Sequence, residues 1–247
     1  MAIFLGFFVG TLVGFTSIGG GALLTPCLIL ILHISPSIAI ATDLFVGSIT
    51  KFVGAGTYAI RREVNWEIVG RLASGSVPGA ILGTLLMNYL PKEDLEPLLK
   101  HLLGLVLILA AASSWARSRY YKRISEPKAM PSFVRTMIFG FLVGFIVSMT
   151  SIGSGSVLLL IMTLFFPIHP KTIVGTDLMH AVVLCSAASL GHLLKGRVDF
   201  HLARSILIGA VPGVLLGAQL VLILPARIIR TVLTVVLMLV GLLMLLH

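Results

Sequence analysis

Thr16-Ser17-Ile18-Gly19-Gly20-Gly21 returns later in the chain as Thr150-Ser151-Ile152-Gly153-Ser154-Gly155. The two stretches belong to a longer self-similarity, because Gly6 aligns with Gly140 at the same offset of 134 positions. The register holds without a gap from Gly6 to Pro91, through Gly, Pro and Asp positions that chance does not keep aligned. The chain is therefore a duplicated unit.

The composition is that of an integral membrane protein. Of the 247 residues, 57% are hydrophobic and only 11% are charged, whereas a soluble domain carries roughly a quarter charged residues. Abundant Leu, Ile, Val and Phe exclude a disordered chain, and two cysteines exclude a disulfide-stapled one. The net charge of +9 is typical of cytoplasmic loops that orient a membrane protein. No long basic stretch interleaved with aromatic residues is present, so nucleic acid is not an expected partner; the lipid bilayer is.

Each half contains four apolar blocks, and a spanning helix needs ~20 apolar residues. The blocks cover 2–32, 38–60, 66–90 and 97–116, then 136–166, 172–194, 200–223 and 228–246. The first block of each half is too long for one straight helix, and its Gly/Ser-rich stretch breaks helices. We therefore predict an all-α polytopic membrane protein with about eight transmembrane helices in two homologous four-helix repeats. The first helix of each repeat is broken or re-entrant.

The predicted organisation is a first membrane repeat over 1–116, a basic cytoplasmic linker over 117–135 and a second membrane repeat over 136–247. Counting crossings from the linker places the basic loops at 61–62 and 195–197 on the cytoplasmic side too, which favours eight spans and parallel repeats. Arg227 and Arg230 would then lie outside, so an inverted arrangement of ten segments stays open.

The interrupted stretches are candidate anion sites. Unpaired backbone at membrane depth is tolerated only when it is buried in protein or lines a watery cavity. Amide and hydroxyl groups just before a helix N-terminus suit an anion. The alternative is a glycine kink in which Ser and Thr bond back to the backbone. The candidate substrate-binding residues are Thr16, Ser17, Gly19, Gly20 and Gly21 in the first half and Thr150, Ser151, Gly153, Ser154 and Gly155 in the second.

Charged residues inside the spans are the second candidate group. Lys51 lies more than a turn from either end of its span, where a lysine is costly; it pairs with an aspartate of the other repeat or holds an anionic substrate. Cys185 occupies the equivalent position of the second half. Asp43 and Asp177 either cap helices or have coupling or helix-orienting roles. His180, one turn after Asp177, is a weaker candidate for proton relay.

Regularly spaced glycines predict a different, structural feature. They place small residues on one helix face, where a second helix can approach closely. The series are Gly6, Gly10 and Gly14; Gly75, Gly79 and Gly83; Gly140 and Gly144; and Gly209, Gly213 and Gly217.

Catalytic and cofactor signatures are missing from the sequence. There is no metalloprotease His/Glu spacing, no phosphate loop and no clustered Cys/His site, so neither a metal nor a cofactor is predicted. A Gly-x-Ser element at 153–156 reads Gly-Gly-Gly-Ala in the first half and lacks a His–Asp set. The protein is therefore not predicted to be an enzyme, and an intramembrane enzyme is the least favoured alternative.

Taken together, the motifs resemble those of the sulfite exporter TauE/SafE family of membrane permeases. The resemblance covers nearly the whole chain, with Ser154 replacing a glycine of the first-half motif. It rests on Gly14-Phe15-Thr16-Ser17-Ile18-Gly19-Gly20-Gly21, on Ala41-Thr42-Asp43-Leu44 followed by Thr50-Lys51, and on Gly75-Ser76-Val77-Pro78-Gly79-Ala80-x-x-Gly83.

The resemblance implies a multi-pass secondary transporter of the bacterial cytoplasmic membrane that moves sulfite or an organosulfonate. Alternating access between the two repeats would carry the anion across. The alternative from the residues is a cation channel or a cation-coupled transporter with Asp43 and Asp177 as ligands. The sequence does not decide the exact substrate, its direction, a proton or sodium coupling ion, or association into a homo-oligomer.

Overall fold

The structure is a computed structural model that describes residues 1–16, 21–120, 130–220 and 226–246. Within those residues the chain forms ten helices and no strand, so the all-α fold is confirmed. The helices are α1 (Ala2–Thr16), α2 (Gly21–Leu30), α3 (Pro36–Ile60), α4 (Trp66–Tyr89), α5 (Lys92–Tyr120), α6 (Phe133–Thr150), α7 (Val157–Phe165), α8 (Pro170–Leu193), α9 (Phe200–Leu220) and α10 (Ala226–Leu246).

The helices of the two halves correspond in order at the offset of 134 positions. α3 begins at Pro36 and α8 at Pro170, where a proline suits the first helical turn. α4 begins at Trp66 and α9 at Phe200. Among the described residues each half thus contains five helices, because its first apolar block is divided in two. The predicted linker begins within α5, and α6 starts at Phe133, before the linker's expected end.

Six helices of the described part are long and apolar enough to cross a membrane: α3, α4, α5, α6, α8 and α9. The apolar segments found in α1 and α10 are shorter, Ala2–Leu12 and Thr234–Leu246. Ile81 and Leu82 on α4 are half exposed, as are their counterparts Leu215 and Leu216 on α9. Exposed apolar residues on such helices are typical of a lipid-facing surface. Eight spans, and the relative orientation of the repeats, stay predictions.

The first helix of each half packs on the fourth helix of the other half, α1 on α9 and α6 on α4. Glycines let the helix backbones approach closely in both contacts. A Cβ on Gly10 would overlap the carbonyl oxygen of Ala210, and a Cβ on its counterpart Gly144 would overlap that of Ser76. The prediction of close helix contacts at the spaced glycines is confirmed at these positions. The two sequence halves are therefore interlocked.

A second reciprocal contact joins the halves at the starts of α4 and α9. Thr176 Oγ1 accepts a hydrogen bond from the Asn65 backbone N–H (2.9 Å), and Thr42 Oγ1 accepts one from the Asp199 N–H (3.2 Å). The Asn65 side chain caps α4 by accepting from the Ile68 N–H (3.1 Å). Thr42 and Thr176 thus position the helix starts of the opposite half.

The loop between α8 and α9 also reaches across to α4. Arg197 Nη2 donates to the carbonyl oxygen of Met87 (2.7 Å), close to the C-terminus of α4, where a cation is favourable. Partial burial lowers the pKa of the Arg197 guanidinium, and the Glu96 carboxylate opposes this shift.

Candidate functional site

A non-helical segment, residues 151–156, separates α6 from α7 and is buried throughout. Ser151 ends α6 in the left-handed conformation (φ 59°), and its N–H donates to the Val147 carbonyl oxygen (2.7 Å). Gly153 and Gly155 have φ of 126° and 88°, which favour glycine. The predicted interruption of the first block is confirmed in this half, and we call these residues the 151–156 segment.

In the first half most of the corresponding stretch lies outside the described residues. This applies to Ser17, Gly19 and Gly20. Thr16 is the last residue of α1 and Gly21 the first of α2, and for these two only the helical backbone is described. The anion-site hypothesis for all five stays a prediction.

Lys51 lies on α3 and reaches the 151–156 segment of the other half. Its Nζ donates to Ser154 Oγ (2.7 Å), and only 4% of the residue is exposed. In the described part of the chain no carboxylate lies within ion-pair distance of Lys51, so the predicted pairing with an aspartate is not formed there. The ammonium is held by a neutral hydroxyl at the centre of the bundle.

Lys51 also contacts its own counterpart. Its Nζ lies 3.3 Å from Cys185 Sγ, and the two residues occupy equivalent positions of the two halves. Residues related by a two-fold relationship touch each other only where the axis passes between them. The Lys51–Cys185 contact therefore marks the pseudo-symmetry axis, between the packed helices α3 and α8.

Asp43 connects the first half to the 151–156 segment. Its Oδ2 accepts hydrogen bonds from Thr25 Oγ1 on α2 and from Ser151 Oγ (2.9 Å). The residue is buried well inside α3, whose N-cap is Ser35. The helix-capping interpretation of Asp43 is therefore wrong, because the carboxylate joins two other elements.

Asp177 holds the opposite end of the same segment. Its Oδ1 accepts a hydrogen bond from the Gly155 backbone N–H (3.3 Å). The N-cap of α8 is His169, so the capping interpretation is wrong for Asp177 too. Thr150 behaves as the structural alternative predicted: its Oγ1 donates to the Ile146 carbonyl oxygen (2.7 Å) and accepts from the Ile152 N–H (3.2 Å).

The two buried histidines of α8 have different partners. His180 Nε2 lies 2.8 Å from Ser76 Oγ on α4. His192 Nε2 lies 2.9 Å from the Ser148 carbonyl oxygen on α6. Both rings are fully buried, and within the described part of the chain their Nδ1 atoms have no hydrogen-bond partner. Only His180 lies near the charged residues that the sequence singled out, one turn after Asp177.

The three in-span charges therefore converge on one segment: Asp43 at Ser151, Lys51 at Ser154 and Asp177 at Gly155. The sequence predicted these residues as functional candidates but not Thr25 and Ser76. Aligning the repeats indicated Cys185, since it occupies the position of Lys51. Thr25 and Ser76 left no signal, because an isolated hydroxyl in an apolar helix usually bonds to its own backbone.

The chemistry of this site is that of a polar binding centre. One ammonium, two carboxylates, hydroxyls and backbone amides meet where the helix is unwound. No three His, Cys, Asp or Glu side chains of the described residues come together as a metal site. Unwound backbone at the contact between two homologous halves is typical of secondary membrane transporters.

The comparisons agree with a membrane transporter. Residues 2–244 match the model of the family described as Sulfite exporter TauE/SafE. The chain belongs to this family and is a multi-pass membrane transporter of the bacterial cytoplasmic membrane.

Curated relatives have names of the same kind. Probable membrane transporter protein YjnA of Bacillus subtilis is 41% identical over 88% of both chains. Probable membrane transporter protein YdhB of the same organism is 25% identical over 97% of both chains. Probable membrane transporter protein MJ0441 of Methanocaldococcus jannaschii is 30% identical over 66% of this chain and 61% of its own. No solved structure matches the chain significantly.

Proposed function

We propose that the protein is a secondary transporter for a small anion, and that sulfite or an organosulfonate is its substrate. Lys51 supplies the positive charge for the anion. In the second half the donors are Ser151, Ser154 and the backbone of Gly153 and Gly155. By the repeat, Thr16, Ser17, Gly19, Gly20 and Gly21 contribute the corresponding groups. Thr150 shapes the start of the segment.

The observation that carries the proposal is the environment of Lys51. A buried ion is expensive unless it is paired and hydrogen-bonded. The described partners of this ammonium are a serine hydroxyl and a thiol, which are both neutral when protonated. An anion that displaces Ser154 from Lys51 would place a negative charge in direct contact with the ammonium. It would also find the amides of the 151–156 segment within the same small volume.

Alternating access follows from the interlocked helices. Because α1 packs on α9 and α6 packs on α4 through glycine contacts, a hinge that separates the two sequence halves would break both interfaces. We therefore propose that the moving units are mixed, one containing α1 and α9 and the other containing α4 and α6. They rock about the α3–α8 contact, where Lys51 lies.

The test is uptake of ³⁵S-labelled sulfite and of a labelled alkanesulfonate into proteoliposomes. Lys51→Ala is expected to reduce the flux about 100-fold, since truncating one member of a buried charge contact costs about 2–5 kcal/mol. Lys51→Arg retains the charge and part of the flux. Lys195→Ala, which removes an exposed lysine at the end of α8, is the matched control and transports normally. Unchanged affinity and rate in Lys51→Ala would contradict the assignment.

A second candidate function rests on the two carboxylates. Asp43 and Asp177 are each only 1% exposed and face the same segment, which is also an arrangement for a cation channel or cation-coupled transporter. That alternative requires cation-dependent currents that disappear in Asp43→Asn or Asp177→Asn and persist in Lys51→Ala. The anion proposal requires the reverse for Lys51, so one set of variants distinguishes them.

A further inference from the structure

Besides the Lys51–Cys185 difference, the surroundings of the two aspartates differ at a buried polar pair. Near Asp177, His180 Nε2 and Ser76 Oγ lie 2.8 Å apart on α8 and α4. At the equivalent positions near Asp43 the chain has Val46 and Ala210. The duplication therefore retained both aspartates but placed an imidazole and its hydroxyl partner beside only one of them.

The space around the other aspartate is correspondingly different. Val46 and Ala210 line a cleft that also includes Asp43 and the hydroxyl-bearing Thr50, with apolar residues and glycines forming the rest of its wall. The imidazole of His180 stands where this cleft would lie in the second half. The Ser76–His180 pair is present beside Asp177 but not beside Asp43. The fold itself therefore does not require such a pair next to each aspartate.

The chemistry of the pair suits a proton carrier. A serine hydroxyl both donates and accepts, so the ring can hold its proton on either nitrogen. The second nitrogen, His180 Nδ1, is fully buried and has no hydrogen-bond partner among the described residues, and an unsatisfied buried polar atom is destabilising. His192 differs, because the Ser148 carbonyl oxygen only accepts and therefore fixes the proton on Nε2.

We propose that the Ser76–His180 pair binds a proton that is coupled to anion movement. This inference rests on the proposed function and adds the coupling ion and its position. When the site opens to water on one side of the membrane, the neutral ring accepts one proton on its free nitrogen. When the site opens to the other side, the ring releases that proton to water. Asp177, one helical turn away, stabilises the imidazolium.

The charges around His180 are few and well defined. Asp177 lies on its own helix, and Asp43 and Lys51 lie on α3, which packs against α8. The buried residues of α4 and α6 carry no titratable side chain, and α7 has none along its described length. Burial of the ring and the nearby charge of Lys51 both disfavour the imidazolium. An anion bound at Lys51 favours the imidazolium by adding negative charge nearby.

The experiment measures sulfite transport with and without a pH gradient, using the full chain in proteoliposomes. One assay follows exchange of ³⁵S-sulfite at equal pH. The other follows its accumulation under a pH gradient of either polarity, corrected with protein-free liposomes. One pH unit drives about tenfold accumulation for each coupled proton. His180→Gln keeps a hydrogen-bonding side chain but cannot carry the proton, so it is expected to retain exchange and lose accumulation. His192→Gln, the matched control, retains both.

The outcomes separate the two proposals. Exchange without any response to the pH gradient in the wild type, or a full response in His180→Gln, overturns the coupling site and leaves the transporter intact. No sulfite or sulfonate flux in the wild type contradicts the proposed function. In that case nitrogen-15 spectra of histidine-labelled protein in nanodiscs still test the pair. His180 is expected to take up a proton as the pH is lowered, while His192 keeps its Nε2 proton. A His180 ring that stays neutral down to the lowest pH at which the protein remains folded overturns the inference.

Discussion

The two halves of this protein have corresponding helices and reciprocal contacts with each other, but their interiors differ. Gly10 and Gly144 press equivalent helices together, and Thr42 and Thr176 make equivalent hydrogen bonds. The polar centre is different, because Lys51 is matched by Cys185. Symmetric positions therefore build the frame. The axis carries one buried lysine and not two, because a second lysine at position 185 would lie in contact with Lys51 and repel it. This asymmetry gives the frame a binding site.

The largest expected effect comes from the glycine interfaces and tests whether both matter equally. Gly10→Val and Gly144→Val each place a side chain against a backbone carbonyl that cannot withdraw, so each is expected to lower the free energy of unfolding by more than ~3 kcal/mol. The measurement is the yield of monodisperse protein and its thermal unfolding in detergent. Gly70→Ala on α4, which has open space around it, is the control. Tolerance of either valine would show that the halves are less interlocked than their packing indicates.

The next effect concerns the axis. Lys51→Cys alone is expected to lose transport about 100-fold, and adding Cys185→Lys to it to recover about tenfold, because truncation of a buried charge contact is costly and the two positions touch. Sulfite flux in proteoliposomes measures both variants. If the double variant remains as inactive as Lys51→Cys alone, the charge is needed on α3 specifically. Positions 51 and 185 would then not be interchangeable, despite the pseudo-symmetry.

A smaller effect distinguishes the two aspartates. Asp43 accepts from Ser151, whereas Asp177 contacts Gly155 at the other end of the segment. In a double-mutant cycle on unfolding free energy, Asp43→Asn and Ser151→Ala are expected to couple by about 1 kcal/mol. Asp177→Asn and Ser151→Ala should be additive. Equal coupling of both aspartates to Ser151 would mean that the segment responds as one rigid unit.

The smallest effect is expected at the threonines. Thr42→Val and Thr176→Val each remove one hydrogen bond to a helix-start N–H and should destabilise the protein by about 1 kcal/mol. Thermal unfolding should therefore shift by about 2–4 °C in each variant. Clearly unequal shifts would show that the two hydrogen bonds contribute differently to stability, despite their equivalent geometry.

Much of the helical frame could be predicted from the sequence. The offset of 134 positions predicted matching helices, and the interrupted first block predicted the break after Thr150. Gly-x-x-x-Gly spacing predicted close helix contacts, because only small residues let backbones approach. These features are local or periodic, so a single chain displays them. The prediction that Asp43 and Asp177 lie at helix starts was wrong, since the N-terminal ends of α3 and α8 lie further upstream.

The partners of the charged residues required the fold. Lys51 and Ser154 are far apart in the chain, as are Asp43 and Ser151, and nothing in their local sequence indicates a contact. Which helix receives which glycine face was equally undetermined. A small-residue stripe specifies how closely a partner approaches, but the same stripe fits several partners.

By itself the sequence determined that this protein is a duplicated, all-helical membrane protein with broken first blocks and a few charges in its spans. The lipid environment is the reason. Backbone N–H and C=O groups inside a bilayer must be hydrogen-bonded within helices, so hydropathy and glycine placement largely decide where the helices begin and end. Only the tertiary structure decided that the halves interlock, that Lys51 meets Cys185 on the axis, and that both aspartates hold one segment. These are long-range contacts between polar groups, fixed by the packing of helices distant in the chain.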